Sequence, residues 1–372
     1  MPFKIKDVVL IDSGGEIFAN VIKPTVLRTV YRGIGGVAAN GYIGGGGQYG
    51  LSFGNSNSQG SNGNALNNAD QMERCSIANE TYQLIGTELG SNNNGMLAPN
   101  STSSTSNAYY FGRDFGANKF PFANDTTSTY VTPLATRRVA QGGSAQSLDH
   151  GYIFAGTGSF FGDRSERIDR HPFGSVNSST DVGNLANSEN VNVSGCSSIS
   201  HGYSTGGVGN PFTATQRNII QKWPFASAST NASDVADLAY TTSDASGHSS
   251  SDNGYVVSGV VNQPTAYFNS SLATSNDIQK FPFATDNNAT DVASLGQTRR
   301  LSTGFNTSTH GIIAGGYTAA PLPWDGTPPV SPPPDYRMTD ISHSEKFSFA
   351  NEATSTISSL QTSRGHASGT QG

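Results

Sequence analysis

Residues 280–295 read KFPFATDNNATDVASL and residues 309–316 read THGIIAGG. The first stretch recurs along the chain. Phe120-Pro121-Phe122-Ala123, His171-Pro172-Phe173-Gly174, Trp223-Pro224-Phe225-Ala226 and Phe281-Pro282-Phe283-Ala284 share its opening, and Phe347-Ser348-Phe349-Ala350 keeps it without the proline. Cys75-Ser76-Ile77-Ala78 is a sixth, weaker copy, placed by Leu89: it lies eleven residues after Ala78, as Leu134 follows Ala123, Leu185 follows Gly174 and Leu295 follows Ala284. From Ile77 to Phe349 the second apolar residues of successive copies are 45, 51, 52, 58 and 66 residues apart. A period of that size is one supersecondary unit repeated.

The second stretch recurs between copies of the first, as Gly151-Tyr152-Ile153-Phe154-Ala155-Gly156, Gly202-Tyr203, Gly254-Tyr255 and Gly311-Ile312-Ile313-Ala314-Gly315-Gly316, with the variant Ala108-Tyr109-Tyr110-Phe111-Gly112. His150, His201, Asn253 and His310 precede its glycine, and a His-Gly or Asn-Gly step between β-prone runs is a tight hairpin signal. Each unit therefore reads as strand a, tight turn, strand b ending in small residues, variable loop, strand c with the Phe-Pro-Phe, turn, and strand d with the Leu. Four antiparallel strands per unit is the arithmetic of a propeller blade. The expected fold is an all-β, six-bladed propeller over residues 28–372. Its ring closes where N-terminal strands (Asn40-Gly41-Tyr42, and strand a from about 28 to 39) join the C-terminal blade, which is expected to supply strands c and d. Proline cannot donate to a ladder, so the strand is expected to lose a partner or bulge at Pro121, Pro172, Pro224 and Pro282.

Composition agrees. The chain has 372 residues with 44 glycines and only 13% charged residues, too little Glu, Lys and Arg for helix bundles or coiled coils. A net charge of −6 removes the basic field that nucleic-acid binding relies on. Cys75 and Cys196 are the only cysteines and offer neither a disulfide framework nor a zinc site. The opening MPFKIKDVVLIDSGG has no apolar run longer than four residues, too short for a signal peptide or membrane span, so synthesis in a cytoplasm is expected. Asn-x-Ser/Thr triplets such as those at Asn124 and Asn288 follow from an Asn-, Ser- and Thr-rich composition.

The hairpin into Gly-Tyr-x-x-Gly-Gly, the variable loop and the aromatic strand resemble the kelch class of β-propeller over residues 28–372, a class that includes enzymes, adhesins and scaffolds. KFPFA followed by NNATDVASL and THGIIAGG is similar to repeats in virion proteins of tailed phages, notably those of marine bacteria. KDVVLIDSGGEIFAN resembles the short β segments that open phage fibre and tail proteins. The resemblance implies a propeller displayed at the tail or fibre, with residues 1–27 as a β attachment segment docking on other virion proteins, localisation in the virion, and no cofactor.

Variation in length concentrates in the b-to-c loops, approximately 48–70, 158–166, 209–218, 261–276 and 316–339, all on one face. A repeated scaffold with variable loops on one face is the layout of a recognition surface. In the proline-rich loop, Tyr317, Trp324, Asp325 and Tyr336 place aromatics beside carboxylates, which suits stacking on sugar faces and hydrogen bonding to hydroxyls; packing of Trp324 on the blade edge is an equal reading. Tyr267, Phe268, Phe160, Phe161, Asp163 and Arg164 are further ligand-binding candidates. His150, His201 and His310 invite a metal reading, but they alternate with Asn40, Asn107 and Asn253, so a turn role is the stronger expectation and no metal site is assigned. Arg74, Lys119, Arg170, Lys222, Lys280 and Lys346 form a ring of six bases, expected to extend outward or to pair with Asp181, Asp234 and Asp291. The expected function is non-enzymatic binding of host-surface glycan or protein. A structural virion connector and a propeller enzyme acting on polysaccharide, with Asp163, Asp325 and Asp335 as its acids and bases, stay open.

Overall fold

The computed structural model describes residues 4–5, 8–9, 40–44, 71–88, 100–111, 117–123, 128–131, 142–156, 166–175, 179–187, 191–209, 216–227, 231–261, 274–319, 338–365 and 367–371. Six antiparallel blades contain most of them, and no helix occurs among the described residues. From the axis outward, as strands a to d, blade 1 is Ser368–Gln371, Asn40–Gly44, Gln71–Ser76 and Thr81–Glu88; blade 2 is Asn100–Ser103, Asn107–Phe111, Ala117–Pro121 and Thr129–Val131. Blade 3 is Gly143–Gln146, His150–Phe154, Arg167–Pro172 and Thr180–Asn184; blade 4 is Ser194–Ser197, His201–Thr205, Ile219–Pro224 and Ser233–Asp237. In blade 5 the inner strand is split into Thr242–Ser243 and Ser246–Ser249, both paired with Asn253–Val261, followed by Thr274–Pro282 and Thr290–Arg299. Blade 6 is Thr303–Asn306, His310–Ala314, Ser344–Ser348 and Thr354–Ile357. The six a strands neighbour one another in a cycle, Ser368–Gln371 lying between Thr303–Asn306 and Asn100–Ser103.

The chain ends do meet in one blade, and Asn40–Gly44 is its strand b as expected, but the C-terminus supplies strand a rather than strands c and d. Blade 6 is complete in itself, and the C-terminal Ser368–Gln371 enters blade 1 as strand a, Thr370 opposite Tyr42. Strands c and d of that blade come from residues 71–88, and the stretch 28–39 lies outside the described residues. Within residues 1–27, one strand pair is described, Lys4–Ile5 with Val8–Val9.

The glycine of the Gly-Tyr marker is not a turn residue. The turn precedes it: the hydroxyl of Ser147, Ser198, Ser250 or Thr307 accepts the N–H of His150, His201, Asn253 or His310, at 2.8–3.1 Å. Imidazole and amide are equivalent there because the backbone makes the bond. The glycine sits one step into strand b, opposite an aromatic of strand c: Gly202 faces Trp223, Gly254 faces Phe281 and Gly311 faces Phe347. Each ring lies over its glycine, where a Cβ would be driven into it. Burying such a ring stabilises the fold by roughly 1.5–3 kcal/mol.

The proline does end a partnership. In blades 2 to 5 strand c pairs with strand d only as far as the base two residues before the proline, as Lys119↔Thr129 and Lys280↔Thr290. Where serine replaces proline the ladder runs further, to Phe347↔Thr354 and Ser76↔Thr81, and Ser348 donates its N–H to Ala353 O at 2.9 Å. The bulges of blades 3, 4 and 5 lie earlier, at Ile168/Asp169, Ile220/Gln221 and Ile278/Gln279.

Blades are joined by three repeated devices. The second Phe stacks on the strand-b tyrosine of the preceding blade, as Tyr152 with Phe225 (4.8 Å, 24°), Tyr203 with Phe283 (4.9 Å, 25°) and Tyr255 with Phe349 (5.2 Å, 24°). The partner is thus the preceding blade. Three of the six bases pair onward with an acid in the following blade's c-to-d turn, Lys222 with Asp286 and Lys280 with Glu352 at 2.5 Å, and Lys346 with Glu80, whereas Arg74 donates to Gln83 of its own blade. Asp181, Asp234 and Asp291 are not their partners; Asp181 faces Arg167 at 3.4 Å and Asp291 accepts from Tyr240. Third, in four blades the buried residue before the base clamps the end of the preceding blade's strand d or the connection after it: Gln221 accepts Asn187 N–H, Gln279 accepts Tyr240 N–H, Glu345 accepts Gly296 N–H and Glu73 accepts Gln361 N–H. The sequon-like Asn288 is part of the same stapling, its side-chain oxygen accepting Asp237 N–H at 3.0 Å.

Candidate functional site

In such a blade every b-to-c and d-to-a connection leaves from one face. Strand b reaches it through two successive left-handed residues, Ala155-Gly156 (φ 56°, 89°), Gly206-Gly207 (62°, 97°), Ser258-Gly259 (61°, 103°) and Gly315-Gly316 (62°, 106°). The first position lies where an L-residue is tolerated, so alanine and serine occur; the second lies beyond it, so only glycine does. After the last pair the chain forms a ribbon, Tyr317–Ala319 with Met338–Asp340, that carries the proline-rich insertion. Tyr317 roots it: 0% exposed, exchanging both backbone bonds with Arg300 and covering Gly365.

The axis of the ring opens on this face. An upper compartment of about 170 Å³ is lined by the beginnings of the six a strands, and a lower one of about 100 Å³ follows. Ser101, Ser144, Gly195, Gly247, Gly304 and Gly369, one from each a strand, line both and form the waist between them. Cβ atoms on Gly195, Gly247 and Gly369 would strike the backbone of the neighbouring a strand, so glycine sets how closely the ring is drawn in. Ser101 bridges the closing strand, hydrogen bonding to Ser368 Oγ and to Gly369 O.

At the rim of the upper compartment, equivalent positions just before strand a hold Asn192 (φ 57°), Asp244 (58°) and Leu301 (50°), chained by Asp244 N–H to Asn192 O and Leu301 N–H to Asp244 O. Asp244 is 8% exposed; its Oδ2 lies 3.7 Å from Arg300 Nη1, and its Oδ1 takes no hydrogen bond. Burial holds its carboxyl above the usual carboxylate range, against the opposing pull of Arg300.

Of the ten ligand-binding candidates from sequence, Tyr317 alone lies within the described residues. Its ring is core, so it offers no face to a ligand, a correction to its expected role. Phe160, Phe161, Asp163, Arg164, Tyr267, Phe268, Trp324, Asp325 and Tyr336 lie outside the described residues. Among the described residues no group of three or more His, Cys, Asp or Glu side chains is placed to hold a metal. His201 and His310 instead bond Ser200 and Thr309, and burial lowers the pKa of all three turn histidines. Asp244, Asn192 and Arg300 were missed because their signal is positional: Asn192 and Asp244 are Asn/Asp at one place in the repeat frame, a left-handed place these residues tolerate.

The chain is a six-bladed β-propeller. No protein-family model matches it, and no curated protein sequence matches it. Among solved structures it is similar to one described as the structure of YjhT, 11% identical with a TM-score of 0.57, covering 73% of this chain and 86% of that one. At that identity the likeness is one of fold.

Proposed function

We propose that this protein is a kelch-like, non-enzymatic recognition propeller of a tailed-phage virion, displayed at the tail or fibre and binding a host-surface component, a glycan, by its b-to-c loop face. The observation that carries the reading is the division of labour in the fold. Rings, ladders and inter-blade clamps fix the scaffold, while the connections that vary in length leave from the face where the axial cavity opens, as recognition loops do on rigid frames. The virion assignment rests on the resemblance of KFPFA, NNATDVASL and THGIIAGG to phage repeats, and residues 1–27 are the segment that docks on other virion proteins.

The test is binding of the purified protein to polysaccharide arrays and host cells, beside a variant in which residues 320–337 are replaced by a short linker between Ala319 and Met338. Binding lost with the fold intact supports the reading. Release of soluble sugar replaces it with a polysaccharide-cleaving enzyme. Absence of any binding, with residues 1–27 still needed for incorporation into particles, replaces it with a structural virion component.

A further inference from the structure

We infer that the face opposite the variable loops, in the sector of blades 3 and 4, docks a protein segment that is acidic and carries an aliphatic side chain. The inference rests on the reading of residues 1–27 as a docking segment and names a second contact for the same partner. Three observations carry it.

The a-to-b and c-to-d turns share this face. At the tip of the a-to-b turn, directly after the capping hydroxyl, blades 2, 5 and 6 carry Thr105, Ser251 and Ser308, whereas blades 3 and 4 carry Leu148 and Ile199. These two are 40% and 62% exposed. The turn asks for nothing apolar there, since its bonds are made by the hydroxyl before the tip and by backbone. The two tips are neighbours: Gln146 donates its N–H to Ser197 Oγ at 2.9 Å, and each of these residues lies two before its tip.

The second observation is charge. Two residues past the alanine or glycine of the aromatic marker, the six c-to-d turns read Glu80, Asp125, Val176, Ala228, Asp286 and Glu352. Asp125, Val176 and Ala228 lie outside the described residues, so only their identities enter the argument. Glu80, Asp286 and Glu352 take the base of the preceding blade. Blades 3 and 4 have apolar residues at that place and no acid elsewhere in residues 173–179 and 225–232, so Lys119 and Arg170 meet no acid in the turn ahead of them. Asp149 is the one acid in the a-to-b and c-to-d turns of the two blades, against two bases. The same blades therefore exchange a hydroxyl for an aliphatic and an acid for an apolar residue. Aliphatics beside bases left in excess match an acidic protein surface with an apolar centre. A polyanion such as a nucleic acid would use the bases alone and have no use for Leu148 and Ile199.

Third, strand b of blade 1 begins on this face at Asn40 and strand a ends on it at Gln371. The chain before Asn40 thus joins the propeller on the side away from the loops. One partner can hold segment 1–27 and the blade 3 and 4 sector together, which strengthens both contacts while the loop face stays free.

The experiment is selection of a random peptide library on the full chain. The selected peptides are then titrated by fluorescence anisotropy against the unmodified protein, Leu148→Ser/Ile199→Ser and Lys119→Gln/Arg170→Gln. Serine is what blades 5 and 6 carry at the tip, so the first variant keeps the fold. The expected peptides are acidic, contain an aliphatic residue, and bind each variant more weakly by about tenfold or more. Added salt should weaken them on the unmodified protein and less steeply on Lys119→Gln/Arg170→Gln. Selection of no acidic peptide overturns the inference. Acidic peptides that hold the serine variant as tightly mark a bare anion site and overturn it too. Particles that take up a chain lacking residues 1–27 remove the docking role of that segment and leave this surface standing; failed selection, with residues 1–27 still required, does the reverse.

Discussion

Arg299 and Glu345 join blades 5 and 6 inside the protein, 2.6 Å apart and 0% and 2% exposed. Arg299 also donates to Gly315 O at 3.2 Å and His343 O at 2.9 Å, and Glu345 accepts Gly296 N–H at 2.6 Å. The preceding junction performs the same task without charge: Gln279 accepts Tyr240 N–H at 3.1 Å and donates to Thr242 Oγ1 at 2.8 Å. Thr242 and Arg299 each lie four residues after the repeat leucine, Leu238 and Leu295. Replacing either charge alone, as Arg299→Thr or Glu345→Gln, strands its partner in the interior, which costs about 3–5 kcal/mol. The double variant rebuilds the chemistry of the neighbouring junction, so its cost is expected to fall below that of either single change. The coupling between the two sites is then at least about 3 kcal/mol. Urea titrations of the four proteins, compared at equal m, measure it. If the double variant is as unstable as the two single changes added together, the argument that amide and ion pair are interchangeable clamps is wrong.

Three further outcomes follow from the same packing. His171 occupies the ring position held elsewhere by Phe120, Trp223 or Phe281; burial lowers its pKa to about 3, so it stays neutral in the fold while the unfolded chain takes up a proton below pH 6.5. Stability is therefore lost as pH falls through that window, about 3 kcal/mol from this residue between pH 7 and pH 4. His171→Phe should flatten that dependence in melts across the range, and an unchanged slope rejects the assignment; raised carboxyls such as Asp244 act in the opposite sense and cancel in the comparison. Gly207→Ala, at φ 97° with Val193 Cγ1 2.6 Å and Val191 O 2.9 Å from the new Cβ, should destabilise by more than about 1 kcal/mol, whereas Ala155→Gly, at φ 56°, should change the melting temperature little. Lys280→Ala removes a part-exposed pair with Glu352, and its unfolding free energy from urea titration should fall by less than about 1 kcal/mol; a larger loss would mean that the onward base-to-acid pairs bear on stability.

Blade number and strand order were legible because a repeat makes each aromatic, glycine and leucine vouch for the others. What the repeat hid was its frame. The a strands GSAQ, SGCS, SGHS, TGFN and SGTQ are themselves a faint repeat of small residues, and SGTQ at 368–371 marks the C-terminus as strand a. Aromatic markers outweighed it, although the axis of a propeller has room for little else than Gly, Ser and Thr. The inter-blade charges were hidden differently, because a base was matched with acids of its own strand pair while the stacking of blades brings the next turn closer. Once that stacking is known, a rule appears in the sequence. Glu345 follows Arg299 and Glu73 follows Arg364, each arginine four residues after its leucine, and the pair Arg364–Glu73 lies 2.9 Å apart. Asp169 likewise follows Arg138, four residues after Leu134, whereas Asn118, Gln221 and Gln279 follow Asn93, Glu189 and Thr242. Arg138, Asn93 and Glu189 lie outside the described residues, yet at all six places in the repeat the residue before the base is an acid where the position four after the preceding leucine is an arginine, and an amide where it is not. A buried charge is tolerated only with its partner, so the two positions are bound to change together. No such constraint acts on the loops, where each length and composition is its own, and the repeat that identifies the blades is silent about what those loops hold.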